Sequence, residues 1–136
     1  MITGDETSVR AISVQSAPAA IGPYSQGVVA PPYVYVSGQL PIDPATGELD
    51  GSTAAVQAKR VLANLEAVLE AVGLTLADVV KTTVFLADLS DFAAVNEVYA
   101  DRFVGSVLPA RSTIEVAGLP RGAQVEIEAI AAIRAS

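Results

Sequence analysis

The sequence predicts an α+β fold, a two-layer sandwich of two helices on one antiparallel-rich sheet, in the order β-β-β-α-β-α-β-β. Three observations carry this reading. Two segments repeat apolar residues at the helical period. Six shorter ones are rich in β-branched residues and bounded by Gly, Pro, Asp or Ser. The chain has 136 residues and is 51% apolar, which suits a single domain, 1–136, with a substantial core.

The first ten residues, MITGDETSVR, are polar and acidic and are expected to be loose. They lack the apolar region of a secretory signal. "AISVQS" (11–16) alternates apolar and polar residues and reads as a short strand. "APAAIGPYSQG" (17–27) reads as an irregular loop. "GVVA" and "PPYVYVSGQL" give two short strands separated by a Pro-Pro turn. In the second, Val34 and Val36 face one way and Tyr33, Tyr35 and Ser37 the other. "PIDPATGELDG" is a further turn-rich loop.

Residues 52–72 carry the strongest helix signal, with Val61, Leu62, Leu65, Val68, Leu69 and Val72 on one stripe. Ser52 or Thr53 caps its start and Gly73 its end. "DVVKTTVFLADL" (78–89) reads as a long strand. Ser90 or Asp91 then caps a second helix, whose apolar side is Phe92, Val95, Tyr99 and Phe103, with Gly105 closing it. In "RSTIEVA", Ser112, Ile114 and Val116 share one face and Arg111, Thr113 and Glu115 the other. In "QVEIEAIAAI", Val125, Ile127, Ala129, Ala131 and Ile133 share a face, alternating with Gln124, Glu126 and Glu128. Two helices cover only one side of such a sheet. The other side carries Tyr33, Tyr35 and small apolar residues, so it is expected to be buried in a closed cyclic oligomer.

Composition narrows the chemistry. With no cysteine and no histidine, the chain has no disulfide, thiol nucleophile, imidazole base or Cys/His zinc site. There is no P-loop and no GxGxxG, and neither a metal nor a cofactor is expected. The net charge is −7 and the eight cations are scattered, which argues against nucleic-acid binding. No run of 18 apolar residues suggests a membrane span, and a cytoplasmic location is expected.

The remaining candidates each have two readings. Arg111, at the start of a strand after "LP", is either a fork of donors for a carboxylate or a surface arginine paired with one of 15 acids. Glu126 and Glu128 share a strand face. Either one is a general base with a pKa raised by burial, or both are solvated. Asn96 falls on the apolar side of the second helix, where its amide either clamps a loop or meets a ligand. Tyr24 in "GPYSQG" is a packing anchor or a pocket hydroxyl, and Ser37 before Gly38 ends a strand or joins a site.

Taken together, "APAAIGPYSQG", "VYVSGQLPIDPATGEL", "QAKRVLANLEAVLEAVGLTLADVVKTTVFLADLSDFAAVNEVY" and "LPARSTIEVAGLPRGAQVEIEAIA" resemble the reactive intermediate deaminase (RidA/YjgF) family, also named for L-PSP endoribonuclease and translation inhibition. The resemblance runs from about Ala17 to Ile133. It implies a chorismate-mutase-like fold assembled as a homotrimer around a central barrel, with ligand clefts between subunits. It also implies hydrolysis of 2-aminoacrylate-type enamines and imines to 2-keto acids and ammonia, without a cofactor. By the same resemblance, Arg111, which binds the substrate carboxylate, Glu126, which stands near the attacking water, and the pocket tyrosine Tyr24 are the catalytic residues, and Ser37 with Gly38 of "SGQ", Asn96 and Thr113 join Arg111 in binding substrate. Thr113 occupies a position where many relatives have cysteine. Two other functions are compatible with these residues: a non-catalytic trimer that binds small carboxylates, and RNA cleavage, which the acidic charge disfavours.

Overall fold

Residues 8–134 are described in the computed structural model; residues 1–7 of the stretch expected to be loose lie outside them, and Arg10 already opens the first strand. The elements follow the predicted order: β1 (Arg10–Ile12), β2 (Gly27–Ala30), β3 (Tyr33–Gln39), α1 (Ala54–Glu70), β4 (Val79–Leu86), α2 (Phe92–Arg102), β5 (Ala110–Glu115) and β6 (Val125–Ala132). They form one six-stranded sheet in the order β1-β2-β3-β6-β4-β5. Every pairing is antiparallel except β4 with β5, which run parallel because α2 carries the chain back across the sheet.

α1 forms where the apolar stripe predicts it. Val61, Leu62, Leu65, Val68 and Leu69 are fully out of water, worth about 1.5–3 kcal/mol each relative to exposure. Thr53 caps the start by accepting from the Val56 N–H. At the other end, Gly73 takes a left-handed φ of 80° and lets the Leu74 N–H return to the Leu69 carbonyl. On β6, Val125, Ile127, Ala129 and Ala131 face this core, as the alternation predicts, and Ile133 just beyond the strand is buried with them.

Several boundaries differ from the sequence expectation: α2 ends at Arg102, with Phe103 already extended, rather than at Gly105, and the differences at β1, at β4 and at the start of α2 each have a local reason. The 11–16 strand stops at Ile12. Beyond it, the Gln26 amide takes over the backbone, accepting from the Val14 N–H at 2.7 Å and donating to the Val14 carbonyl at 3.0 Å. The 78–89 strand starts at Val79, because Thr75 and Asp78 form a capping box over a tight turn at Leu76–Asp78. It ends at Leu86, and neither the Ser90 nor the Asp91 side chain caps α2. Asp88 accepts from the Ser90 N–H at 2.9 Å and initiates a turn at Leu89–Asp91 that runs into the helix.

β3 carries the feature that matters most for the site. Val34 and Val36 are buried and Tyr33 and Tyr35 are 42% and 44% exposed, but Gln39 is buried again, out of phase. The register against β6 slips between Val36 and Gln39, so Ser37 and Gly38 together oppose Glu128 in a bulge. α1 and α2 cover one face of the sheet. The other face leaves Tyr33, Tyr35, Val80 and Ile114 at 40–46% exposure.

Candidate functional site

The helix-covered face carries one group of candidates. Thr82, Val84 and Leu86 of β4 are buried there, and Arg111, Thr113 and Glu115 are their partners in the parallel register with β5. Arg111 therefore emerges at the sheet edge beneath α2. Its Nη1 donates to Asn96 Oδ1 at 2.7 Å. Its guanidinium carbon stands 4.8 Å from the Tyr99 ring centre and 5.5 Å from that of Phe92. Four arginines, Arg60, Arg102, Arg121 and Arg134, pair with carboxylates. Among the described residues Arg111 has no acidic partner within 4.0 Å, so no described carboxylate of its own chain pairs with it. Thr113 is half-buried beside it. The hollow that Arg111, Asn96, Tyr99 and Thr113 share is about 10 Å³, so a ligand reaches the guanidinium only from outside.

The opposite face carries the second group. Glu126 pairs with Phe85 and points away from the helices, half-buried. Burial pushes its carboxyl above the usual glutamate value, and the nearby Glu128 charge pushes in the same direction. Gly38 lies against it. A Cβ at residue 38 would sit on the Glu126 carboxyl, 2.9 Å from its Cδ, so only glycine leaves that carboxyl where it is. Ser37 uses its hydroxyl to donate to the Ser25 carbonyl, and its N–H donates to the Gln26 carbonyl at 3.0 Å. Both bonds tie the bulge to the 17–27 loop.

That loop presents Tyr24, 55% exposed, whose hydroxyl accepts from the Ile21 N–H at 3.3 Å. Tyr24 and Gly38 border a cleft of about 390 Å³, closed on its far side by Pro120 and Arg121. Tyr24 also borders a larger hollow of about 890 Å³ beside β1, with no charged side chain among its described lining residues. Two buried amides hold the cleft walls. Gln26 donates to the Ala17 and Pro18 carbonyls, and Asn64 donates to the Leu40 and Ile42 carbonyls at 3.0 Å.

The chain thus divides the predicted residues. Arg111, Asn96 and Thr113 lie together at one sheet edge, while Glu126, Ser37, Gly38 and Tyr24 lie on or beside the other face, with β4 between. Sequence reasoning missed Thr82, Phe92 and Tyr99 around Arg111. The helical spacing already grouped Phe92, Asn96 and Tyr99. What it lacked was the parallel β4–β5 register that brings Arg111 under them. No group of three or more acidic side chains among the described residues is arranged to hold a metal ion, and no helix there is long and apolar enough to cross a membrane.

Comparison with known proteins extends this picture. The family model described as Endoribonuclease L-PSP matches residues 14–133. The 2-iminobutanoate/2-iminopropanoate deaminase of Mus musculus is 52% identical over 122 residues, covering 90% of each chain. The crystal structure of the YjgF gene product from E. coli overlays with a TM-score of 0.88 at 49% identity, over 92% of this chain and 99% of that one. E. coli TdcF, crystallised with bound serine, overlays with a TM-score of 0.85 at 43% identity, over 92% and 99% of the two chains. A family model spanning residues 14–133, half-identity across nine-tenths of two chains, and the shared sandwich lead to one assignment: the chain belongs to the reactive intermediate deaminase (RidA/YjgF) family.

Proposed function

We propose that this protein hydrolyses 2-aminoacrylate-type enamines, through their imine tautomers, to 2-keto acids and ammonia. It does so as a homotrimer, in sites that join the Arg111 edge of one chain to the Glu126 face of its neighbour. The observation that carries the reading is Arg111, an arginine oriented by Asn96, Phe92 and Tyr99 yet without a carboxylate among the described residues. The chemistry such a fork accepts is a planar carboxylate, which every 2-imino acid has. The name of the mouse relative and the serine bound to TdcF support the same substrate class. The inter-subunit arrangement is supported by the separation of the two groups and by the open face bearing Tyr33, Tyr35 and Ile114.

In this mechanism Arg111 holds the substrate carboxylate by two charge-assisted bonds and fixes the imine carbon in place. Glu126, as carboxylate, accepts a proton from water while the water oxygen bonds to that carbon. Glu126 passes that proton to the imine nitrogen, giving a neutral carbinolamine. It then takes the carbinolamine hydroxyl proton and delivers it to the amino nitrogen as the carbonyl forms and the C–N bond breaks, releasing ammonia. The sum is imine plus water to keto acid plus ammonia, with Glu126 returned to its starting state. A raised pKa improves Glu126 as a base, provided the working pH still lies above it. Tyr24 and the Ser37–Gly38 bulge shape the wall, and Thr113 meets the substrate beside Arg111.

A binding protein without turnover is the second reading, favoured by the serine held in TdcF. One assay separates them. An amino-acid oxidase generates 2-iminobutanoate in situ, and ammonia release is followed with and without the protein. Acceleration supports hydrolysis; binding of 2-oxobutanoate without acceleration supports the carboxylate binder. RNA cleavage has the matched model's name behind it and a net charge of −7 against it.

A further inference from the structure

Arg111 stands exposed on an edge strand, where the sheet has a neighbouring strand on one side only to restrain a long flexible side chain. Bidentate recognition needs the guanidinium plane fixed, because a rotating fork meets a carboxylate with one N–H at a time. We infer that the rings of Tyr99 and Phe92 are positioning residues that fix this plane, and that Tyr99 is itself locked by Thr82. The inference rests on the carboxylate-clamp reading of Arg111 and adds the parts that make the clamp rigid.

Three contacts restrain the guanidinium from different directions: the Tyr99 ring at 4.8 Å, the Phe92 ring at 5.5 Å and Asn96 Oδ1 at 2.7 Å. Only Nη1 is used by Asn96. Nε and Nη2 have no hydrogen-bond acceptor among the described residues, so one edge of the fork remains open for a ligand. Tyr99 is well suited to act as the platform. It is 8% exposed, its hydroxyl shares a 2.6 Å hydrogen bond with the buried Thr82 hydroxyl, and its ring packs at 4.4 Å on Phe103. Thr82 is also the register partner of Arg111 across the parallel strands. The clamp is thereby tied to β4 through Thr82, to α2 through Tyr99, and to β5 through its own backbone. Burial raises the Tyr99 pKa above the ordinary phenol value, against the opposing effects of the Thr82 bond and the Arg111 charge. The ring that Arg111 meets is therefore a neutral phenol.

The test uses Phe92→Leu, Tyr99→Phe and Tyr99→Leu in the full chain, each alone and with Arg111→Ala. Tyr99→Phe keeps the aromatic face but loses the Thr82 bond that locks it, so KM for 2-iminobutanoate is expected to rise about twofold to threefold, less than for Tyr99→Leu, and an unchanged KM removes Thr82 from the inference. Phe92→Leu and Tyr99→Leu remove a face and are expected to raise KM by about threefold to tenfold with kcat changed less than twofold, as loss of uniform binding does. In the Arg111→Ala background the same substitutions are expected to change kcat/KM by less than twofold, because the residue they act through is gone. Tyr99→Leu cuts into the core and risks misfolding, so Phe92→Leu, at a residue 38% exposed, carries the test on its own if needed. Equal effects in both backgrounds, or an unchanged KM for Phe92→Leu, overturn the inference. If the parent binds 2-oxobutanoate but releases no ammonia, the hydrolase reading fails while the same comparison, read as Kd, still tests the clamp. If it does neither, both fail.

Discussion

Replacing Arg111 by lysine probes the clamp directly, and the structure sets the size of the effect. The charge is kept, but an ammonium is a point donor and cannot offer two parallel N–H groups to one carboxylate. One of two charge-assisted bonds is lost, about 1.5–3 kcal/mol. The shorter side chain also forfeits its stacking on the Tyr99 and Phe92 rings, about 0.5–1 kcal/mol more at an exposed site. The sum, about 2–4 kcal/mol, corresponds to a fall in kcat/KM of about 30-fold to 10³-fold, at about 1.4 kcal/mol per tenfold. Stability should fall by about 1 kcal/mol at most, the size of the lost stacking, since Arg111 is exposed and no described carboxylate loses a partner. The assay pairs ammonia release from oxidase-generated 2-iminobutanoate with thermal unfolding and a 2-oxobutanoate titration. A variant within threefold of wild type in kcat/KM, with ligand binding intact, refutes the two-point clamp.

Glu126→Gln leaves the clamp and removes the base, so kcat should fall by at least about tenfold while 2-oxobutanoate still binds. Glu126 titrates above the ordinary glutamate value when folded, so its ionised form costs stability above that raised pKa and the cost disappears below pH 4.5. The glutamine variant should accordingly melt higher than wild type at pH 7 and no higher at pH 4; the reverse order contradicts the assigned environment. Gly38→Ala should keep the fold, because the end of a flexible side chain can swing aside, but it displaces the Glu126 carboxyl and should lower kcat toward that of Glu126→Gln. Unimpaired turnover in that variant would separate Gly38 from the chemistry. Light scattering at micromolar concentration should report a trimer, and a stable monomer would remove the inter-subunit site.

What the sequence made legible follows the range of the forces involved. α1 and β6 were readable because one side chain every 3.6 or every 2 residues must leave water, and nothing distant alters that periodicity. Gln26 was not readable as the residue that ends β1, since its amide reaches back 12 positions to Val14. The β3 bulge was equally hidden. Ser37 continues the alternation of Tyr33 and Tyr35, and only the pairing with β6 shows that Gly38 is the extra residue beside Glu126.

The separation of Arg111 from Glu126 follows from the strand order. Alternation places each residue correctly on its own strand: Arg111 with Thr113 and Glu115, Glu126 opposite Val125 and Ile127. Which faces coincide depends on β4, which pairs parallel with β5 through Thr82 and Arg111, and antiparallel with β6 through Phe85 and Glu126. Thr82 and Phe85 are three apart on one strand and so point to opposite sides. A carboxylate clamp and a base split by that parity cannot close on one substrate within a single sheet, however the loops move. The same chain therefore needs either a second copy to bring the two halves together or a different base on the helix side. On that side, the described groups nearest the guanidinium are Asn96, Thr113, Phe92 and Tyr99, none of which is a carboxylate. That chemical poverty around Arg111 is what makes assembly part of the catalytic proposal.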